Sequence, residues 1–150
     1  MSGEARGGSI ERVYLPRWLL GAYSVVVVAI LLWPTPVDRE AGPTIFAIIT
    51  FFHGLGWTWF SYTVLEVIAN VLLFVPLGAL LVVCLPRRWW WLALVIGVSV
   101  SGAAELVQAV ALPERMASVS DVVANTIGAV IGMTMTVMIR ALRTPVAPRR

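Results

Sequence analysis

Three pairs of polar side chains interrupt otherwise apolar runs: Glu66 with Asn70, Glu105 with Gln108, and Asp121 with Asn125. Carboxyl groups in such surroundings can exchange protons, hold a cation or orient a polar ligand. The amides beside them add donors and acceptors without charge. Spacings of i, i+4 or i, i+3 put each pair on one side of a helix. Insertion scales charge about 2.5–3.5 kcal/mol for an Asp at the centre of a membrane helix, and less near the interface. Gluing helices together is the plainer role, worth about 0.6 kcal/mol per hydrogen bond. It suits Asn70, Gln108 and Asn125 better than it suits the three acids. Asp121 has a further local use, since an acid in a helix's first turn stabilises its positive end. Ser118-x-x-Asp121 also fits a capping box.

Other chemistries lack their residues. His53 is the only histidine and Cys84 the only cysteine, so no metal site is expected. His53 reads as a packed or headgroup-facing residue and Cys84 as inert packing. Ser101 has no neighbouring base in sequence, and a hydrolase triad is not indicated. No cofactor is expected.

These groups sit in a chain of 150 residues that is 59% hydrophobic and only 13% charged, with a mean hydropathy of +0.89. Soluble domains carry roughly a quarter charged residues, so the chain reads as an integral membrane protein. A disulfide scaffold and a disordered chain are both excluded. The expected architecture is all-α and polytopic, a single domain over residues 1–150 with four transmembrane helices. The spans fall at about 18–36, 62–85, 89–112 and 119–140, between tails at 1–17 and 141–150. Pro34 and Pro36 are expected to stop the first span. That span is expected to be retained, because Leu31-Leu32-Trp33-Pro34 offers no small-x-small cleavage site. Pro86-Arg87-Arg88 reads as a tight basic turn, and Trp89-Trp90-Trp91 as the opening of the third span. Residues 44–61 are crowded with aromatics and broken by Gly54 and Gly56. They read as an interfacial or re-entrant segment.

All eleven basic residues are Arg, clustered at the ends of apolar runs, with a net charge of +3. Such placement is that of membrane topology, and nucleic-acid binding is not expected. Successive flanks carry 3, 1, 2, 1 and 4 Arg, which puts both termini in the cytoplasm. The three polar pairs then lie roughly 4–14 Å below the outer boundary, at 1.5 Å per residue. Arg115, in the last loop, can hang over them. The polar face continues through small residues: Gly97 and Ser101 before Glu105, and Gly128 and Gly132 after Asn125. Gly128-x-x-x-Gly132 matches the pattern of closely packed membrane helices.

At these residues the chain resembles the VanZ-like family of bacterial membrane proteins. The resemblance rests on Asn70-Val-Leu-Leu-Phe74-Val-Pro76-Leu-Gly78, on Glu105-Leu-Val-Gln108, and on the run from Arg115 through Asp121, Asn125 and Gly128 to Gly132. It covers roughly residues 62–135. It implies a small four- or five-span helical protein of the bacterial cell envelope, set in the cytoplasmic membrane. The family's named member is associated with resistance to the glycopeptide teicoplanin. The resemblance does not supply a reaction.

Two functional classes follow. The chain is expected to bind an envelope lipid or headgroup-bearing ligand through Glu66, Asn70, Glu105, Gln108, Arg115, Asp121 and Asn125. Pro76, Gly78, Gly97, Gly128 and Gly132 would serve helix packing. The second class is an intramembrane enzyme acting on an envelope lipid or glycan, with Glu105 and Asp121 as acid and base. A proton- or ion-coupled transporter is a third reading, one that would call for a homo-oligomer to enclose a path. The orientation is testable by cysteine labelling in a Cys84→Ala background. A Ser118→Cys variant should label from outside and Ser2→Cys only after permeabilisation; outside labelling at position 2 would reverse the topology.

Overall fold

The computed structural model describes residues 4–33, 41–112 and 118–143, with side chains from Leu15 onward. They form five α-helices: α1 (Glu4–Leu31), α2 (Gly42–Gly54), α3 (Tyr62–Cys84), α4 (Leu92–Ala111) and α5 (Val119–Leu142). A 3-10 turn, Arg87–Trp89, leads into α4. There is no strand among the described residues.

By length and composition, α3, α4 and α5 can each cross a membrane, with mean hydropathies of 2.7, 1.7 and 1.8. Large side chains such as Leu72, Val95, Val110 and Met138 stay exposed along them, as expected of surfaces turned to lipid. The apolar stretch of α1, Leu15–Leu31, is shorter than these. Pro43 sets the start of α2, where its missing N–H costs nothing. With 13 residues, α2 is about 20 Å long at 1.5 Å per residue. A bilayer core is about 30 Å thick, so α2 cannot cross it unaided.

Helix α5 lies between α3 and α4, and glycine decides how closely. A Cβ on Gly128 would strike the Val71 carbonyl oxygen, and one on Gly132 would strike that of Val75. From the other side, a Cβ on Gly78 would meet the backbone of Ala129. The two backbones touch with no side chain between them. Gly128 faces Val71 and Gly132 faces Val75, and Arg140 bonds the Val83 carbonyl 57 positions earlier, the same offset. Helices α3 and α5 therefore run parallel in fixed register. Against α4 the direction reverses: Gly97 faces Ala129, and Ser101 faces Asn125.

The core is formed by Phe74, Leu77, Leu81 and Val82 of α3 with Ala129 and Met133 of α5, joined by Ala93 of α4 and Val27 of α1. Helix α1 is tied to α3 by the Tyr23 hydroxyl, which donates to the Leu73 carbonyl at 2.9 Å. That bond lies one turn before Pro76, the proline inside α3.

Four boundaries differ from those read off the sequence. Helix α1 begins at Glu4, well before Trp18, since no proline interrupts the chain until Pro16. It ends at Leu31, short of the prolines, and residues 34–40 lie outside the described residues. The three tryptophans precede α4 instead of opening it, because Pro86 starts a 3-10 turn first. Helix α5 continues to Leu142, past position 140.

The glycine contacts predict a sharp contrast. Gly132→Ala should destabilise the protein by roughly 1–3 kcal/mol, since α3 must move to admit the methyl group. Gly102→Ala, with nothing within 4 Å of its Cβ, should leave stability unchanged. Unfolding in mixed micelles measures both; equal stabilities would remove the close contact.

Candidate functional site

Register brings most of the polar residues to one level. Asn125, almost wholly buried on α5, donates from Nδ2 to Ser101 Oγ of α4 at 2.9 Å. One turn further along each helix sets Glu105 opposite Asp121, both half-buried. On α3, the constant offset puts half-buried Glu66 level with Val123 and Asn70 with Ile127. Acids and amides from three helices thus share a narrow band near the start of α5.

Within that band the side chains have specific partners. Glu105 Oε2 accepts the backbone N–H of Ser118 at 2.6 Å. Ser118 is the N-cap of α5, and its Oγ accepts the N–H of Ser120 at 3.1 Å. In a capping box the N-cap N–H would go to the side chain three residues on, here Asp121. Glu105 of the neighbouring helix takes that N–H instead, and the Asp121 N–H goes to the Ser118 carbonyl, so Ser118 is a simple N-cap and the predicted box does not form. The carboxylate fixes the height of α5 against α4 and lies where the positive end of α5 favours it.

Gln108 faces elsewhere. Its Nε2 donates to the Leu31 carbonyl of α1 at 2.7 Å, in a buried setting. The last carbonyls of a helix have no partner within it, and Gln108 satisfies one at the end of α1. Spacing put Gln108 beside Glu105; it did not reveal that α1 ends within reach. Arg115 lies outside the described residues.

Among the described residues one buried side-chain polar atom is left without a partner. Asn125 Oδ1 is buried and has no donor among the described residues. A buried acceptor in that state costs about 1–3 kcal/mol, so a hydrogen-bond donor is needed there. Nearby, an apolar cavity of about 220 Å³ opens between α1 and α4, lined by Val28, Leu31, Leu32, Val100, Ala103 and Val107. The Gln108–Leu31 bond borders it. A polar layer therefore sits beside a groove of a chemistry suited to hydrocarbon.

The aromatic segment forms its own unit. Phe52 packs on Trp57 and Phe60, with ring centroids 5.2 and 4.3 Å apart. Trp57 in turn stacks on Trp59. His53 Nε2 lies 2.8 Å from the Phe60 carbonyl; a carbonyl only accepts, so Nε2 carries the proton. His53 closes this turn. Among the described residues no group of three or more His, Cys, Asp or Glu could hold a metal ion.

The sequence model of the VanZ/LLP1 family matches residues 20–140. The chain belongs to that family. No curated protein matches it, nor does any solved structure.

The Glu105 contact separates acceptor from charge. Glu105→Gln retains an oxygen for the Ser118 N–H and should lose little stability. Glu105→Leu orphans that N–H and should lose about 1–3 kcal/mol. Leucine and glutamine variants of equal stability would contradict the role.

Proposed function

We propose that this VanZ/LLP1 family member is a non-enzymatic envelope protein that binds a headgroup-bearing lipid. It would sit in the bacterial cytoplasmic membrane with four spans and both termini inside. The polar band is then in the outer half of the bilayer, with α2 and its aromatic turn at or re-entering the outer interface. Family membership supports the envelope setting, and through it a contribution to resistance against teicoplanin-type glycopeptides.

The observation that carries the binding reading is Asn125 Oδ1, a buried acceptor in need of a donor at the level where three helices bring their polar groups. A headgroup hydroxyl or amine supplies that donor, with Asp121, Glu66 and Asn70 around it. The cavity between α1 and α4 takes an acyl chain. Arg115, three residues before Ser118 in sequence, would be the counter-charge for a phosphate or carboxylate, which its planar fork suits. Acid–base catalysis by Glu105 and Asp121 is the weaker reading. Glu105 is already committed to the Ser118 N–H, and a base held in that way is a poor proton shuttle.

Mass spectrometry of lipid co-purified with the full chain tests this reading. The wild type should retain one headgroup class above its share of the membrane. Asn125→Leu, which keeps bulk and removes both polar atoms, should reduce the retained fraction about tenfold, as should Asp121→Asn. The expected size is that of one or two buried polar contacts. Retention unchanged in both variants, each folded, would refute the site.

A further inference from the structure

Charge is divided between the two ends of the bundle. Every acid with a described side chain, Glu66, Glu105 and Asp121, lies at the end where α5 starts. Every arginine with a described side chain lies toward the other. Asp121 and Arg140 are nineteen residues apart on α5, about 28 Å along the helix and close to the thickness of a hydrocarbon core. Arg87 and Arg140 are engaged with partners of their own. The other described arginines, Arg17, Arg88 and Arg143, are exposed around the rim. Arg143 is the C-cap of α5. Arg88 sits in the 3-10 turn, whose Arg87 and Trp90 face Val137 and Ala141 of α5 across a small cavity. Leu31 is bonded to Gln108 at the acid end. Arg17, fourteen residues earlier on α1, is therefore about 21 Å nearer the rim. Trp18, Trp89, Trp90 and Trp91 are exposed beside these arginines, as tryptophans at a membrane–water boundary are.

We infer that Arg17, Arg88 and Arg143 form a contact surface for anionic phospholipid in the leaflet at this end, with Arg88 bonding a headgroup phosphate. Arg88 is the best placed of the three. Its guanidinium lies over the Trp89 ring, 5.6 Å from the centroid, within the range of a cation–π contact. Stacking uses the face of the guanidinium, whereas its N–H groups lie in the plane and suit the oxygens of a phosphate. Charge complementarity selects the lipid: each arginine near an anionic surface favours it by about fivefold. A zwitterionic headgroup offers the same phosphate without that net attraction. The surface stands apart from the polar band, since Asn125 lies eighteen residues before Arg143, about 27 Å along the helix.

The test reconstitutes the full chain in vesicles of dioleoyl phosphatidylglycerol and dioleoyl phosphatidylcholine in equal amounts. The protein is extracted in dodecyl maltoside and its bound lipid counted by mass spectrometry. Phosphatidylglycerol should be retained over phosphatidylcholine by about fivefold or more at low salt. In about 1 M sodium chloride, where the screening length is about 3 Å, the ratio should fall below about twofold. Equal retention of the two lipids, or a ratio that salt leaves unchanged, would overturn the surface. Arg88→Gln with Arg143→Gln should lower the ratio at least about threefold, and Arg149→Gln with Arg150→Gln less than about 1.5-fold. Both pairs remove two charges and leave the polar band intact, so equal losses would reduce the effect to net charge and overturn the surface. Arg88→Lys keeps the charge and loses the stacked fork, and about a twofold loss is expected. An unchanged ratio in that variant would overturn the phosphate contact. Should the double glutamine variant fail to fold, Arg88→Lys carries the test alone.

Discussion

The approach of α3 to α5 is closer than side chains permit, and the other placements follow from it. Lipid tails are as apolar as leucine, so helices in a bilayer gain little by hiding apolar surface from water. What holds them is dispersion between backbones and the hydrogen bonds they can share. Gly78, Gly128 and Gly132 let the two backbones meet, and a contact without intervening side chains has little freedom to slide. The register so fixed places Asn125 against Ser101, and sets Arg140 where it can bond the Val83 carbonyl.

Much of the polar chemistry completes helix ends. In a low-dielectric setting each unpaired backbone group is expensive, and no water within the hydrocarbon supplies a partner. Gln108 reaches across to the last turn of α1, and Glu105 reaches to the first N–H of α5. Each joins two helices by serving the terminus of one of them. Asn125 differs, because among the described residues one of its two polar atoms is matched and the other is not. That difference sets Asn125 apart from the two residues that serve helix ends.

Composition and 3.6-residue periodicity carried the helical architecture and placed α3, α4 and α5 within a few residues. Gly128 and Gly132 were legible as packing positions from their spacing. That they pack on Val71 and Val75 was not, since pairing between helices leaves no mark in a local pattern. The stripe Gly97, Ser101, Glu105 announced one face of α4, and that face does meet α5. Gln108 shared the pattern yet turned to α1, because the choice depends on where another helix stops. Ser118 was legible as a helix start, but the capping box with Asp121 does not form, because a carboxylate from α4 takes the Ser118 N–H. The tryptophans looked like helix because they are apolar, whereas Pro86 imposed a turn on them.

Helix α5 is held in one register between α3 and α4, which brings the polar groups to a common depth. Disulfide formation in membranes tests it without touching those groups. In a Cys84→Ala background, Gly97→Cys is paired in turn with Ala129→Cys and with Met133→Cys, one turn away. A Cβ at Gly97 would lie 3.1 Å from that of Ala129, close to the spacing of about 3.5–4.5 Å that a disulfide adopts. Cross-linking should be rapid for positions 97 and 129 and slight for 97 and 133. Preferential cross-linking of 97 to 133 would shift α4 by a turn, part Ser101 from Asn125, and contradict it.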